Sequence, residues 1–155
     1  MAQPDPVVDQ LFRAILRARV YEVCDETPLE VAAQLSARLG NTVHLKREDL
    51  HPVFSFKIRG AFNRMATLSD AERSAGVIAA SAGNHAQGVA FAARHLGLEA
   101  VIVMPVTTPT IKVESVRRLG GEVLLAGDSY SEAEAECRRM AGAGARTLVH
   151  PFDDP

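Results

Sequence analysis

The chain has 155 residues and a mass of 16.7 kDa, which is the length of about one domain. Its hydrophobic fraction of 47% and its charged fraction of 23% are ordinary for a globular protein, and they exclude a disordered tail or a collagen-like repeat. The net charge of −2 arises from 17 basic and 19 acidic residues with no long block of either sign, which argues against a nucleic-acid partner.

Several classes of protein are disfavoured by local patterns. No apolar run approaches the length of a membrane-spanning helix, and the N-terminus MAQPDPVVDQLF lacks the basic-then-apolar pattern of a signal peptide. We therefore expect no membrane partner and a cytoplasmic location. Cys24 and Cys137 are far apart and predict two reduced thiols. The histidines are scattered without metal-ligand spacing, so no metal site is expected.

The first third of the chain contains fewer periodic segments than the rest. Apolar residues at helical spacing predict a helix over 8–18, and alternation predicts a strand over 42–46. A second helix is predicted over 55–67, with Ser55 as its N-cap.

From residue 76 onward, short apolar strands alternate with helices. Strands are predicted over 76–80, 100–104, 122–126 and 146–150. Helices are predicted over 86–96, from Thr108-Pro109 to Gly120-Gly121 with Pro109 as the first helical residue, and from a Ser131–Glu134 capping box to about Met140, before Gly142 and Gly144. This rhythm predicts an α/β fold with a parallel sheet covered by helices on both faces.

The sequence ends at HPFDDP, directly after a predicted strand and without a covering helix. A parallel sheet normally covers its last strand. We therefore expect this chain to be the first part of a longer protein.

Lys57, in the segment HPVFSFKIRGA, is predicted to lie in the first turn of a helix. The positive end of the helix dipole disfavours an ammonium there, and Arg59 adds a second positive charge close by. Both effects favour the neutral amine, which an imine-forming lysine needs. From these residues alone, a solvated surface lysine is the alternative.

The segment SAGNHAQG (81–88) follows a strand and opens a helix, at the carboxyl edge of the sheet where α/β proteins bind ligands. Backbone N–H groups at a helix start bind anions, and Ser81, Gly83 and Asn84 suit such a loop. An ordinary connection chosen for its turn chemistry is the alternative. His85 serves as a base or in a hydrogen bond at the helix start, and the second role is favoured.

Glu48 and Asp49 form an adjacent pair of carboxylates in LKREDL. Neighbouring side chains of an extended segment point apart, so two roles at one catalytic centre are disfavoured. We interpret both carboxylates as charges that position nearby Arg and Lys side chains.

Two long motifs in the expected order, LKREDLHPVFSFKIRGA and ASAGNHAQGVA, carry a family resemblance. The chain resembles the biosynthetic threonine dehydratase (threonine ammonia-lyase) family, which has the tryptophan synthase beta-like fold of fold-type II pyridoxal-phosphate enzymes. TPLE (27–30), VIVMP (101–105), IKVESVRRLGGEV (111–123) and HPFDDP (150–155) fit the same pattern. The resemblance implies deamination of L-threonine to 2-oxobutanoate and ammonia, the first step of isoleucine biosynthesis.

The resemblance also implies roles for individual residues. Lys57 matches the lysine that binds pyridoxal 5'-phosphate covalently and removes the Cα proton, and Phe56 lies beside it in the family motif. Asn84 matches the asparagine that hydrogen-bonds the ring hydroxyl of the cofactor. The loop that receives the substrate carboxylate is matched by Ser81, Ala82, Gly83, Asn84 and His85. Serine racemases of this fold resemble SSGN at this loop, and Ala82 in place of the second Ser favours elimination over racemisation.

The resemblance covers an incomplete catalytic domain. Residues 1–80 match part of the larger domain, and about 85–150 match the smaller cofactor domain. The glycine-rich phosphate loop, the residue facing the pyridine nitrogen and the C-terminal regulatory domain of the family lie outside the 155 residues. The chain alone is therefore expected to bind the cofactor weakly and to turn over little or no threonine, whereas the full-length form is expected to be a homo-oligomer.

Two other functions stay open. One is a different lyase of the same cofactor fold, acting on serine or diaminopropionate. The other is a non-catalytic remnant that binds an anionic metabolite, or that pairs with a partner supplying the missing half.

Overall fold

The computed structural model describes residues 5–142 and 146–154. Its strands are β1 (Leu29–Val31), β2 (His44–Lys46), β3 (Val77–Ala80), β4 (Ala100–Met104), β5 (Glu122–Leu125) and β6 (Thr147–Leu148). Its helices are α1 (Pro6–Arg17), α2 (Ala33–Leu39), α3 (Lys57–Ala66), α4 (Asp70–Ala75), α5 (Asn84–Leu96), α6 (Thr110–Arg118) and α7 (Tyr130–Gly142). Short 3-10 turns lie at Val20–Glu22 and Glu48–Leu50.

The larger sheet is parallel and has the strand order β5-β4-β3-β6. The two central strands, β3 and β4, are buried over their whole length. Alternate residues of these strands face opposite sides, since Ala79 and Ile102 pack with α3, α5 and α6, whereas Ile78 and Val103 pack with α7. The predicted α/β fold, with helices on both faces of a parallel sheet, is confirmed.

β1 and β2 form a separate antiparallel pair in which all residues are exposed. The strand predicted over 42–46 is thus confirmed for His44–Lys46, outside the parallel sheet. β1, α2 and α4 were not predicted, because elements of three to seven residues are too short to show a hydrophobic period.

The helix that carries the lysine begins later than predicted. α3 begins at Lys57 with Phe56 at the N-cap, so the prediction of Ser55 as N-cap is wrong by one residue. The Ser55 hydroxyl nevertheless accepts the backbone N–H of Lys57 at 3.2 Å and satisfies one free donor of the first turn. α5 begins two residues earlier than predicted, at Asn84, and ends as predicted at Gly97, which has a φ of 68°.

Two further helix starts differ from the prediction. Pro109 has a ψ of 136°, which is extended, so it is the N-cap of α6 and not its first helical residue. The capping box of α7 is Ser129–Glu132 and not Ser131–Glu134, because the Glu132 carboxylate accepts the N–H groups of Asp128 and Ser129 at 2.6 and 3.0 Å. Glu134 pairs instead with Arg138.

β6 has two residues in place of the predicted 146–150. The ladder stops because Pro151 lacks an N–H group and the N–H of His150 donates to the Asp154 carboxylate at 2.7 Å. α7 ends at Gly142, two residues beyond the predicted Met140, and Gly144 lies outside the described residues. The predicted division of the chain into two domain parts stays a prediction.

The core lies between the sheet and α3, α5 and α6, where Phe62 and Met65 are fully buried. Cys24 and Cys137 are buried free thiols, as predicted, and burial raises the pKa of Cys137 to about 11. The apolar stripe of α1, by contrast, is largely exposed, with Ile15 at 70%. In the ranges 5–142 and 146–154, no helix combines the length and apolar character that crossing a membrane requires.

Candidate active site

Lys57 lies where the backbone turns sharply into α3. Phe54, three residues earlier, has a φ of 54°, in the left-handed region that non-glycine residues seldom adopt. The half-buried Lys57 side chain runs toward the end of β6, where its Nζ donates to the carbonyl of Pro151 at 2.7 Å. The same nitrogen lies 4.9 Å from the ring centroid of Phe152 and 5.6 Å from that of Phe56. The amine is thus held at the surface of a cavity and does not extend into bulk solvent.

The 81–85 loop leaves the carboxyl end of β3 and enters α5. Gly83 is at the N-cap position, and its N–H donates to the Ser81 hydroxyl at 3.2 Å. The side chain of Asn84 is exposed, and within residues 5–142 and 146–154 its amide makes no hydrogen bond. The N-terminal N–H groups of this helix and the Asn84 amide are therefore available to a ligand.

His85 is buried at 6% exposure and occupies the second position of α5. Its Nε2 lies 3.0 Å from the carbonyl oxygen of Val149, and because a carbonyl accepts, Nε2 carries the proton. Burial lowers the pKa of His85, although the hydrogen bond to Val149 acts in the opposite direction. The structure shows such a hydrogen bond at the helix start, and the choice between this role and that of a base stays a prediction.

α5 and α3 approach each other closely at the site. A Cβ on Gly88 would lie 3.2 Å from the carbonyl oxygen of Lys57 and 3.3 Å from the backbone nitrogen of Ile58. The absence of a side chain at Gly88 therefore lets α5 pack against the first turn of α3. This contact brings the two helix starts, one with Lys57 and one with Asn84, to the same cavity.

That cavity has a volume of about 280 Å³. Five predicted site residues line it: Phe56, Lys57, Ser81, Asn84 and His85. Two predicted residues do not line it, since Ala82 packs against the core and Gly83 provides the N-cap.

The remaining lining residues are Ser55, Ala80, Tyr130, Pro151 and Phe152, which the sequence analysis did not assign to the site. Tyr130 carries no local signal, because its position follows from the packing of α7 on the sheet. Pro151 and Phe152 belong to the HPFDDP motif, and the fit of this motif to the family pattern is the sequence signal that points to them.

A cluster of charged and polar side chains connects the segment before α3 to α3 itself. Glu48 accepts hydrogen bonds from Arg59 Nε at 2.8 Å and from the Thr27 hydroxyl at 2.6 Å, and it lies 3.1 Å from the buried His51. The Arg59 guanidinium holds the pKa of Glu48 at about 2, well below its usual range. Asp49 pairs with Arg47 at 2.8 Å, so the interpretation of Glu48 and Asp49 as positioning charges is confirmed.

The same cluster corrects one expectation about Lys57. Arg59 was expected to add a second positive charge close to the amine. Its guanidinium is instead neutralised by Glu48 and also donates to the carbonyl of Asp25 at 3.0 Å. The positive charge that Arg59 brings near the amine is therefore balanced by the Glu48 carboxylate.

The geometry defines a class of protein. A lysine amine at one helix start and an anion-binding loop at another meet at the carboxyl edge of a parallel α/β sheet, which is the arrangement of an enzyme that binds a carbonyl compound covalently. Across the ranges that the structure describes, His, Cys, Asp and Glu side chains do not gather in groups of three or more that could hold a metal ion.

Comparison with known proteins identifies the family. The family model described as "Pyridoxal-phosphate dependent enzyme" matches residues 21–155. The chain belongs to this family of pyridoxal-phosphate dependent enzymes, as the resemblance implied.

The curated relatives include the chloroplastic biosynthetic threonine dehydratase 1 of Solanum lycopersicum, which is 60% identical over 141 residues, 91% of this chain and 23% of that protein. The biosynthetic L-threonine dehydratase of Escherichia coli is 51% identical over 146 residues, 94% of this chain and 28% of that protein. The chain thus spans about a quarter of the length of these relatives.

Solved structures show the same fold. The processed form of threonine deaminase isoform 2 from Solanum lycopersicum matches with a TM-score of 0.92 and 48% identity, over all of this chain and 43% of that chain. Maize serine racemase matches with a TM-score of 0.84 and 33% identity, over 95% of this chain and 44% of that chain. The expected resemblance to threonine dehydratases is confirmed.

Proposed function

We propose that this chain carries the lysine-bearing part of a pyridoxal-phosphate dependent ammonia-lyase that converts L-threonine to 2-oxobutanoate and ammonia. One observation carries the proposal: Lys57 and three residues of the 81–85 loop, Ser81, Asn84 and His85, line one cavity of about 280 Å³. The relatives named threonine dehydratase support the choice of threonine among the substrates that such a site can take.

The donor set at the cavity fits pyridoxal phosphate. An aldehyde requires a primary amine, which Lys57 supplies, and a phenolic ring oxygen requires a donor, which the side-chain amide of Asn84 supplies. Phe56 lies beside the amine, with its ring centroid 5.6 Å from Nζ, and would flank the bound group. When bound, the cofactor supplies an electron sink for the charge that develops at Cα of the substrate.

The residues of the loop bind and orient the substrate. Its carboxylate would be received by the 81–85 loop (Ser81, Ala82, Gly83, Asn84 and His85), with the polar side chains of Ser81 and Asn84 at the cavity and the N-terminal N–H groups of α5 as donors. We expect His85 to contribute orientation and not proton transfer, because its Nε2 proton is engaged by Val149 and burial lowers its pKa, which disfavours the charged ring.

Lys57 acts as the general base that takes the Cα proton, because its Nζ lies at the cavity within 2.7 Å of the Pro151 carbonyl, which orients it. The β-hydroxyl then takes up a proton and leaves as water. A second water later replaces the nitrogen, so the net products are 2-oxobutanoate and ammonia. The methyl group of Ala82 has no proton to deliver to the opposite face of Cα, which favours elimination over racemisation.

We further propose that turnover requires more polypeptide than these 155 residues. The chain spans about a quarter of its curated relatives, and the apolar stripe of α1 is exposed, with Leu11 at 58% and Leu16 at 69%. Surfaces of this kind are normally covered by further protein. The cytoplasmic location and the association of full-length copies stay predictions.

Ammonia release tests the proposal most simply. The 155-residue chain is compared with a completed chain, in which the remaining sequence of a threonine dehydratase relative follows Pro155. Each is assayed with L-threonine, D-threonine, L-serine and diaminopropionate in the presence of pyridoxal phosphate. We expect the completed chain to favour L-threonine and the 155-residue chain to show little or no turnover.

Two lysine variants serve as a matched pair. Lys57→Ala should reduce turnover by about a thousandfold or more, whereas Lys112→Ala on α6 should leave it unchanged. Undiminished turnover in Lys57→Ala would refute the assignment of the base. A preference for serine or diaminopropionate would favour the other lyases, and absence of turnover in the completed chain would favour the non-catalytic remnant.

A further inference from the structure

The turn formed by residues 150–154 is fastened to α3 at two points. The first is the hydrogen bond from Lys57 Nζ to the carbonyl of Pro151 at 2.7 Å. The second is the contact from Arg64 Nε to the Asp154 carboxylate at 2.6 Å. Lys57 and Arg64 are seven residues apart, about two helical turns, so both point from the same face of α3.

The 150–154 turn is also closed on itself. The second carboxylate oxygen of Asp154 accepts the N–H of His150 at 2.7 Å. The Nδ1 of His150 accepts the N–H groups of Phe152 and Asp153 at 3.2 and 2.9 Å. Both oxygens of Asp154 are therefore used, one to shape the turn and one to attach it to Arg64.

The Arg64–Asp154 pair is shielded from water more than the other pairs on helix surfaces. Its side chains are 19% and 16% exposed, compared with 51% and 50% for Arg117 and Glu114 on α6. Exposed pairs contribute little because water screens them, whereas a shielded, charge-assisted contact holds its geometry better. The pair is thus suited to fixing the position of the turn.

The 150–154 turn separates two cavities that share the Lys57 side chain. One is the site cavity of about 280 Å³, and the other, of about 410 Å³, runs along α3 past Gly60 and Arg64. Four residues line both cavities: Phe56, Lys57, Pro151 and Phe152. Phe152 is 81% exposed, so its position beside the amine is set by the turn and not by burial in a core.

We propose that Arg64 and Asp154 are positioning residues for Lys57. By fastening the turn, they hold the Pro151 carbonyl and the Phe152 ring against Nζ, which fixes the amine where the two cavities meet. These contacts cover one side of the amine, so reagents approach Nζ from fewer directions while the turn is in place. The nature of the bound carbonyl compound rests on the proposed function, but the positioning of the amine does not.

Lysine reactivity tests the proposal without any cofactor. The chain has three lysines, Lys46, Lys57 and Lys112, so reductive methylation with isotopic formaldehyde can be quantified at each one by mass spectrometry. In Asp154→Asn, we expect methylation of Lys57 to rise several-fold relative to Lys46 and Lys112, because the turn no longer covers the amine. Arg64→Gln removes the charge of the other partner and leaves the hydrogen bonds within the turn in place, so it should give a similar rise.

Glu72→Gln is the matched control, because Glu72 lies 3.7 Å from Arg64 but does not contact the turn, and glutamine keeps the capping box of α4. It should leave the labelling ratio unchanged. If the Arg64–Asp154 pair only stabilises the fold, Asp154→Asn will have a lower melting temperature, but the methylation of Lys57 relative to Lys46 and Lys112 will not change. That result would overturn the proposal.

Attachment of pyridoxal phosphate, followed by its visible absorbance and by borohydride trapping, separates this proposal from the proposed function. Attachment to Lys57 that is equally strong in wild type and Asp154→Asn, with unchanged methylation, would refute the positioning role and leave the proposed function standing. Failure of the cofactor to attach in wild type, with methylation of Lys57 still dependent on Asp154, would refute the proposed function and support the positioning role.

Discussion

The Nε2 atom of His85 donates to the carbonyl oxygen of Val149 across 3.0 Å and joins the first turn of α5 to the end of β6. This bond attaches the 81–85 loop to the segment that carries the Pro151 carbonyl, and therefore to Lys57. The hydrogen bond of the buried His85 ring thus connects the 81–85 loop with the part of the candidate site that holds Lys57.

The protonation of His85 predicts a dependence of stability on pH. Burial holds its pKa in the folded chain below the ordinary value of 6.5. Below that pH the unfolded chain takes up a proton that the folded chain does not, so the contribution of His85 to stability is complete above about pH 6.5 and falls as the pH drops further. In His85→Gln, the part of the pH dependence of stability that comes from this histidine should be absent.

Urea unfolding at about pH 7.5 and about pH 5.5 measures this effect as the difference between wild type and variant. The difference in unfolding free energy should be smaller at the lower pH. A difference that stays constant, or that grows at the lower pH, would contradict a neutral, buried His85.

Glu48 predicts a second dependence, in the acid range and through a different mechanism. Its pKa of about 2 lies below the ordinary 4.5, so the stability it contributes is present above about pH 4.5 and is lost as the pH falls toward 2. Glu48→Gln should cost roughly 2 kcal/mol at neutral pH, because hydrogen bonds to a partly buried charge are removed. The difference in unfolding free energy between wild type and Glu48→Gln should become smaller in acid.

Asp49→Asn is the control for Glu48→Gln, since the Asp49 pair with Arg47 is more exposed and should contribute less than about 1 kcal/mol. Chemical denaturation of both variants at several pH values provides the measurement. Equal losses of unfolding free energy in the two variants would show that the cluster around Glu48 has no special role in anchoring the segment before α3.

Two helix glycines predict opposite effects of the same substitution. Gly88→Ala places a methyl group 3.2 Å from the Lys57 carbonyl, so α5 and α3 must move apart, and we expect lower stability and faster labelling of Lys57. Gly60→Ala meets nothing within 4 Å and should stabilise α3 by about 0.5–1 kcal/mol. Thermal unfolding distinguishes them, and a stabilising Gly88→Ala would contradict the close packing of the helices.

Asn84→Ala should weaken binding of pyridoxal phosphate about tenfold, because one donor to the ring oxygen is removed, corresponding to about 1.4 kcal/mol. Its effect on stability should be small, since the side chain is exposed. Asn63→Ala, an exposed asparagine on α3, is the control and should leave cofactor affinity unchanged. Fluorescence titration with the cofactor measures both, and equal affinities for the two variants would count against a role of Asn84.

The parts of the site that the sequence predicted are those with local signals. Lys57 follows a capping-type serine, and Asn84 follows a buried strand and a glycine, so both positions at helix starts were predictable to within two residues. The exact start of α3 was missed, because Ser55 bonds the first helical N–H from outside the N-cap position.

The contacts across the site had no such signal. Lys57 and Pro151 are 94 residues apart in the chain, and Arg64 and Asp154 are 90 apart. Their proximity follows from the pairing of β6 beside β3, which hydrophobic periodicity does not specify. The capping box of α7 was predicted at Ser131–Glu134 but lies at Ser129–Glu132, directly after the left-handed turn at Gly127.

The covalent bond to Lys57 tests the central claim most directly. The 155-residue chain is incubated with pyridoxal phosphate at saturating concentration, reduced with borohydride, digested and mapped by mass spectrometry. We predict that the reduced cofactor is found on Lys57 in preference to Lys46 and Lys112. Label spread equally over the three lysines, or its absence from Lys57, would contradict the account.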